Sequence, residues 1–318
     1  MPLLEFSRPK DADLSVVILN WNAREYLVAC LNSIICQEWR HTVEIIVVDN
    51  DSRIDDSAAV VRKDFPGVCL IQTGRNIGFS AGNNLGYAIA SGRYVLFLNP
   101  DTIVEKGALD ALIDWMDAHP EAGACGPRMT YPDGELQNSS RAFPSFGAGI
   151  FRNSFLGRMF PNNPWSRAYL MEDVDRTQEH KADWLSGSAL LGRRTALQQV
   201  DLGRGPWDET YFMYCEDVDL CYRLNRAGWD RVYVPQATIQ HHIGKSSDWQ
   251  QGAMIRRHHM SMLRFYFKHY AHGWGILMIP VAVVGIFFRA AFAVLKLYRG
   301  YAKRGVFKTM VKRKLEGR

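Results

Sequence analysis

Four short apolar runs, LSVVIL (14–19), VEIIVV (43–48), VCLIQ (68–72) and YVLFL (94–98), recur through the first 130 residues with helix-like stretches between them. Such runs, too continuous to alternate, are strands covered on both faces, and a strand, helix and strand in succession make parallel neighbours. The intervening stretches carry the matching signal. Leu27, Leu31, Ile34 and Ile35 fall on one helical face, and a helix from about Lys106 to His119 is closed by Pro120. The implied fold is an open, doubly wound α/β sheet.

Ligands of such sheets lie beyond the carboxyl ends of the strands. There the chain places Asn20-Trp21-Asn22, Asp49-Asn50-Asp51-Ser52, Gly74-Arg75-Asn76-Ile77-Gly78-Phe79 and Asn99-Pro100-Asp101-Thr102. Asp49 is positioned to accept from the imide N–H of a pyrimidine base, and Asp101 to bind a ribose or a metal. A helix cap is the alternative for either. The run RNIGFSAGNNLGYA combines small residues with Asn76, Asn83 and Asn84, which lets a loop and helix approach a nucleotide closely. It has neither the Gly-Lys-Ser/Thr ending of a Walker loop nor a GxGxxG spacing, which argues against kinase-like and dehydrogenase chemistry.

Further along, order weakens from about Arg141 to Lys181 into a stretch rich in aromatics, Pro and Asn, either an acceptor-side insertion or an irregular connector. It returns at DWLSGSALLGRR, read as one strand, and at EDVDLCYRLNRAG, a helix with acids in its first turn, Arg226 in its last and Gly228 to cap it. A carboxylate held at that helix start, Glu216, Asp217 or Asp219, can take a proton from an attacking hydroxyl, or can simply cap the helix. His241 and His242 end the next apolar run, where an imidazole is suited to a metal or a phosphate oxygen.

Charge divides the chain. Positions 1–248 hold 24 Lys or Arg against 32 Asp or Glu, whereas 249–318 hold 14 against Glu316 alone. Between Lys268 and Arg289 lie 20 residues with no charged side chain, near the length of a membrane span, with Pro280 and Gly285 expected to interrupt it. The expectation is an interfacial or re-entrant helical element whose Lys296, Arg299, Lys303, Arg304, Lys308, Lys312, Arg313 and Lys314 face anionic headgroups; a basic helix docked on the protein is the alternative. The six cysteines form no CxxC pair and the N-terminus has no apolar signal core, so a reducing, cytoplasmic setting is expected.

In order, SVVILNWN, VVDNDS, RNIGFSAGNN, LFLNPDT, WLSGSALLGRR, WDETYFMYCEDVDLCYRLNRAGW and VPQATIQHHIGKSS resemble the inverting family 2 glycosyltransferases, in particular their bacterial rhamnosyltransferase-like branch, over roughly Leu14 to Ser247. The resemblance implies a GT-A type fold, a mostly parallel open sheet flanked by helices, followed here by a C-terminal helical membrane-associating tail. Residues 1–130 would be the nucleotide-sugar half, 131–248 the acceptor-binding and catalytic half of the same domain, and 249–318 the tail.

By that resemblance Asp49 contacts the base, Asn20 and Asn22 line its pocket, and Asn76 and Asn83 lie near the ribose or diphosphate. Asp101 stands for the second acid of the metal-binding DxD motif, with Asn99 where the first acid would be, and His241 completes the sphere of a Mg²⁺ or Mn²⁺ ion. Asp217 is the general base with Glu216 beside it, and Trp184 and Gly187 line the junction of acceptor and donor. The implied donor is a dTDP- or UDP-sugar, with L-rhamnose favoured, and the implied acceptor is a lipid-linked or cell-surface glycan at the cytoplasmic face of the inner membrane. No nucleic-acid partner is expected. The QxxRW signature of processive relatives is absent, so one transfer per encounter is expected. Two rivals are an idle nucleotide- or glycan-binding protein and a sugar nucleotidyltransferase; the latter is expected to carry a basic Gly-rich loop where this chain has Asn20-Trp21-Asn22.

Overall fold

The computed structural model describes residues 4–5, 11–152, 155–242 and 251–303. Its strands are β1 (Leu4–Glu5), β2 (Leu14–Asn20), β3 (Val43–Asp49), β4 (Cys69–Gln72), β5 (Tyr94–Leu98), β6 (Thr102–Val104), β7 (Ala122–Thr130), β8 (Ser140–Arg141), β9 (His180–Lys181), β10 (Trp184–Leu185), β11 (Ala189–Arg193) and β12 (Asp230–His241). Its helices are α1 (Arg24–Ile35), α2 (Ser57–Asp64), α3 (Phe79–Ile89), α4 (Ala108–Ala118), α5 (Phe146–Phe151), α6 (Phe155–Met159), α7 (Pro164–Leu170), α8 (Arg194–Gln199), α9 (Glu216–Arg226), α10 (Gln251–His269) and α11 (Ile279–Lys303).

The chain separates into two compact units. The first comprises 1–143 and 167–248, and the second 144–166 and 249–318. In the first, one sheet runs β1-β4-β3-β2-β5-β11-β7-β12-β6, with β9 added on β12. The four apolar runs form the parallel block β4-β3-β2-β5, in register from Leu14 opposite Val43 to Asn20 opposite Asp49. Val16, Ile18, Val47 and Leu96 are buried there, each worth about 1.5–3 kcal/mol on removal from water.

The expectation of a mostly parallel sheet is corrected: the sheet is mixed. β11 runs antiparallel to both β5 and β7, β6 and β9 are antiparallel to β12, and only β7 and β12 form a second parallel pair. DWLSGSALLGRR is likewise two strands, for Ser186-Gly187-Ser188 separates β10 in a two-stranded sheet with β8 from β11 in the main sheet.

α3 lies on β2 through its glycines. A methyl at Gly82 would collide with Leu19, and one at Gly86 with Val17. The small residues of that segment therefore seat a helix on the sheet. α9 ends in a Schellman arrangement, with Trp229 N–H donating to Leu224 O, Gly228 N–H to Asn225 O, and Gly228 at φ 87°.

In the second unit, Pro280 and Gly285 do not interrupt the apolar stretch as expected. α11 is continuous, because Pro280 falls in its first turn, where a missing N–H costs the helix nothing. Its Ile279–Arg299 portion has a mean hydropathy of 1.9 over the most apolar window, of which 6 % is buried. The residues from Arg304 onward that were expected to face headgroups lie outside the described residues.

Candidate active site

The donor side is built where β2 and β3 end side by side. Asn20 Nδ2 donates to Asp49 Oδ1 at 3.2 Å and to Ser52 Oγ at 3.1 Å, and Ser52 N–H donates to Asp49 Oδ2 at 3.2 Å. Asn22 N–H donates to the same Ser52 Oγ at 2.9 Å. Asn22 and Asp51 are left-handed, at φ 52° and 67°, a conformation Asn and Asp tolerate. Asn20 Oδ1 is buried and has no hydrogen-bond partner among the described residues.

Asn76 Oδ1 accepts from Asn50 Nδ2 at 3.1 Å and from Gly78 N–H at 3.0 Å, so it shapes the loop entering α3. Asn83, expected near the ribose or diphosphate, is buried and donates to Phe79 O at 3.0 Å, bracing its own helix. Its neighbour Asn84 instead reaches across to Trp207, bonding both its N–H and its carbonyl.

A second cluster forms where β5 and β12 end. His241 Nε2 is 3.4 Å from Asp101 Oδ1 and 3.4 Å from Asn99 Nδ2, and all of Asp101 but 4 % is buried. Gln137 determines the tautomer of His241. Its Nε2 donates to Thr130 O and to His241 O, which turns its Oε1 toward His241 Nδ1 at 3.0 Å. Nδ1 therefore carries a proton that it donates to Gln137 Oε1, and Nε2 is left facing the Asp101 carboxylate. A ring nitrogen and a carboxylate oxygen at that distance suit a cation bound by both. Among the described residues no three His, Cys, Asp or Glu side chains converge, and Asp101 and His241 meet as a pair.

The third cluster opens α9. Tyr214 and Cys215, at φ 73° and 66°, are both left-handed, a locally strained turn directly before Glu216. Asp217 is partly exposed, and its Oδ2 accepts from Gly187 N–H at 3.1 Å and its Oδ1 from Val218 N–H at 2.9 Å. Burial raises its pKa, while those two N–H groups and the charge of Arg141 pull it back. Glu216 is 7 % exposed, its Oε2 has no partner among the described residues, and burial followed by the Asp217 charge holds its pKa well above the ordinary value. Burial raises both acids, Glu216 well above the ordinary range, and the backbone N–H groups and the Arg141 charge that oppose the rise act on Asp217. Asp219, the third acid, is fully buried and paired with Arg223 at 2.8 Å, a structural role.

Gly187 sits against this pair. A methyl on it would lie 3.4 Å from Asp217 Cβ, 3.5 Å from Phe79 Cζ and 3.6 Å from Trp207 Cη2. Trp184 is placed differently. Its Nε1 donates to Ala142 O at 2.9 Å and its ring lies 5.0 Å from the guanidinium of Arg141, whose charge acts on Asp217. Sequence reasoning missed Gln137 and Arg141, which lie in or beside the two-residue strand β8 where no periodicity develops, and Trp207, which lay unremarked inside the WDET segment.

The sequence model of "Glycosyl transferase family 2" matches residues 15–200, more than half of the chain. This chain belongs to that family. The family 2 enzyme is 36% identical over 272 residues to N-acetylglucosaminyl-diphospho-decaprenol L-rhamnosyltransferase of Mycobacterium tuberculosis, covering 82% of this chain and 86% of the relative. It is 26% identical to rhamnosyltransferase WbbL of Escherichia coli K12, covering 79% and 91%. In fold it is similar to a solved structure of mannosyltransferase PcManGT from Pyrobaculum calidifontis in complex with GDP-Man and Mn²⁺, with TM-score 0.56, 17% identity and coverage of 92% and 80%. The fold is GT-A-like, and the protein is a rhamnosyltransferase-like glycosyltransferase.

Proposed function

We propose that the enzyme transfers L-rhamnose from dTDP-rhamnose to a hydroxyl of a lipid-linked glycan, in one step with inversion. The observation that supports the chemistry is the Asp217 carboxyl, aimed by Gly187 N–H at 3.1 Å beside the buried Glu216. Asp217 takes the proton of the acceptor hydroxyl as that oxygen bonds to the anomeric carbon and the nucleoside diphosphate departs with the bonding pair. Asp49, Asn20 and Asn22 hold the base, and Asn76 orders the loop beside it. Asp101 and His241, with Asn99 adjacent, hold a Mg²⁺ or Mn²⁺ ion, which neutralises charge on the departing diphosphate when bound. The choice of rhamnose and of a lipid-linked acceptor is supported by the 36% identical mycobacterial relative, whose name states both.

A monotopic or peripheral seat on the cytoplasmic membrane face is supported by α11, which exposes Val281, Val284, Phe288 and Leu295 on one side, and by Trp274, 85% exposed just before it. The test is a panel of nucleotide sugars with a lipid-linked acceptor, read as nucleoside diphosphate released and as the anomeric configuration of the product. Preference for a donor other than dTDP-rhamnose would refute the sugar assignment, and retention of configuration would refute the role of Asp217.

A further inference from the structure

The aromatic, Pro- and Asn-rich insertion between β8 and β9 belongs for the most part to the second unit. Residues 144–166 join 249–318 there, although 82 residues of chain lie between the two pieces. α5 packs on α6 and on α11, and the Arg158 guanidinium lies 5.2 Å from the Phe292 ring of α11. The insertion is therefore built onto the same apolar helix that supports a membrane seat.

The surface of this unit differs in kind from that of the first. Among the described residues, the large hydrophobic side chains that are more than a third exposed number five in the first unit, Ile35, Ile54, Tyr131, Leu136 and Leu202, and eighteen in the second. The first unit nevertheless holds more than twice as much chain. Six of the eighteen fall in the insertion: Phe146, Ile150, Leu156, Met159, Phe160 and Trp165. Single exposed apolar residues need no cover, whereas their concentration in one unit marks an interaction surface.

Packing within the insertion holds these side chains in place. Phe151 stacks on Trp165 with ring centroids 4.8 Å apart and planes 10° apart, and a methyl on Gly147 would collide with the Trp165 ring. Both rings, with Phe160, line a cleft of about 540 Å³. The charge of the unit indicates what covers this surface. Its described residues hold ten Lys or Arg and no Asp or Glu. Apolar and basic side chains are favoured at an anionic bilayer surface and acidic ones are not, so both properties fit one partner, a phospholipid membrane with anionic headgroups.

We propose that residues 144–166 are a second membrane-inserted element, which carries Leu156, Met159, Phe160 and Trp165 into the hydrocarbon boundary of an anionic bilayer. This rests on the membrane seat proposed above and extends it: the enzyme holds the membrane at two places far apart in sequence, one of them an insertion in the catalytic fold.

The test is co-sedimentation of the full chain with vesicles of phosphatidylglycerol and phosphatidylcholine. Met159→Ser combined with Phe160→Ser should weaken partition about ten- to hundred-fold, the scale of returning a large apolar side chain to water, and Phe287→Ser combined with Phe288→Ser in α11 should do the same. All four side chains are exposed, and thermal melting reports that the variants fold. Trp165→Phe keeps an aromatic ring against Phe151 and should lose part of the tryptophan quenching that brominated lipid produces in the wild type. Wild-type partition in the Met159 and Phe160 variant overturns the proposal, and a loss in the α11 variant alone then leaves the seat on α11 standing. Quenching unchanged in Trp165→Phe also overturns it. So does an altered oligomeric state with wild-type partition in the Met159 and Phe160 variant, which assigns the surface to a second copy of the chain. If the wild-type chain does not bind the vesicles, the membrane reading itself fails and this element falls with it.

Discussion

Gly187 N–H donates to Asp217 Oδ2 at 3.1 Å, so a backbone group in the gap between β10 and β11 aims the carboxylate at the head of α9. An amide at 217 keeps the shape and loses the base. Asp217→Asn is expected to lower turnover by about 10²–10⁴-fold with nucleotide affinity unchanged, as read by single-turnover rates and by calorimetric titration with nucleoside diphosphate. Near-normal turnover would remove Asp217 from the proton transfer.

As the proposed base, Asp217 would act in its ionised form, and the acid limb of kcat/KM should then follow it. Because burial raises its pKa, activity is expected to fall with decreasing pH above the range of an ordinary aspartate. Arg141 favours the charged form, so Arg141→Met should move that limb to still higher pH. A limb unmoved in this variant would show that another group governs it.

Glu216 affects stability with the opposite dependence on pH from an ordinary paired acid. Its folded-state pKa is raised, so the stability it contributes is complete below its unfolded value and is lost as pH rises through the folded one. Glu216→Gln does not titrate. Its melting temperature should exceed that of the wild type at alkaline pH, and the gap should close in acid.

Gln137→Leu removes the acceptor that fixes the His241 tautomer. Affinity for Mn²⁺, read by electron paramagnetic resonance of free ion, is expected to drop about 10–100-fold, the usual cost of losing such an outer partner. Equal affinity in the two proteins would exclude His241 as a ligand oriented by Gln137.

Two glycine substitutions separate folding from chemistry. Gly86→Ala drives a methyl into Val17 and should destabilise by about 1–3 kcal/mol, with normal activity in the folded fraction. Gly187→Ala makes only ordinary contacts, at 3.4–3.6 Å, and should melt near the wild-type temperature. The same methyl fills space beside Asp217, so a reduced kcat/KM is expected there.

The parallel half was legible because strands buried on both faces read as unbroken apolar runs, and the polar residues ending them fell where ligands of such sheets bind. Asn20 and Asp49 do meet, as do Asp101 and His241. The direction of β11 was not legible, since antiparallel insertion between two parallel blocks leaves no local mark. Nor was the break at Ser186-Gly187-Ser188, because small residues interrupt an apolar run without a turn signal. Pro280 misled because proline stops a helix interior and suits a helix start, and position within the helix is what the sequence withholds. Gln137 and Arg141 work through His241 and Asp217, and side chains that act through others carry no motif of their own.

β11 enters the sheet at the edge where β5 leaves it, and five residue pairs from Ala189 opposite Leu98 to Arg193 opposite Tyr94 join them. The Asn99-Pro100-Asp101 loop and the gap whose Gly187 N–H reaches Asp217 therefore hang from one seam, though 89 residues of chain lie between Leu98 and Ser188. Loops on that edge can change length while the seam keeps its register, so the Asn99-Pro100-Asp101 loop can be rebuilt without moving the contact between Gly187 and Asp217.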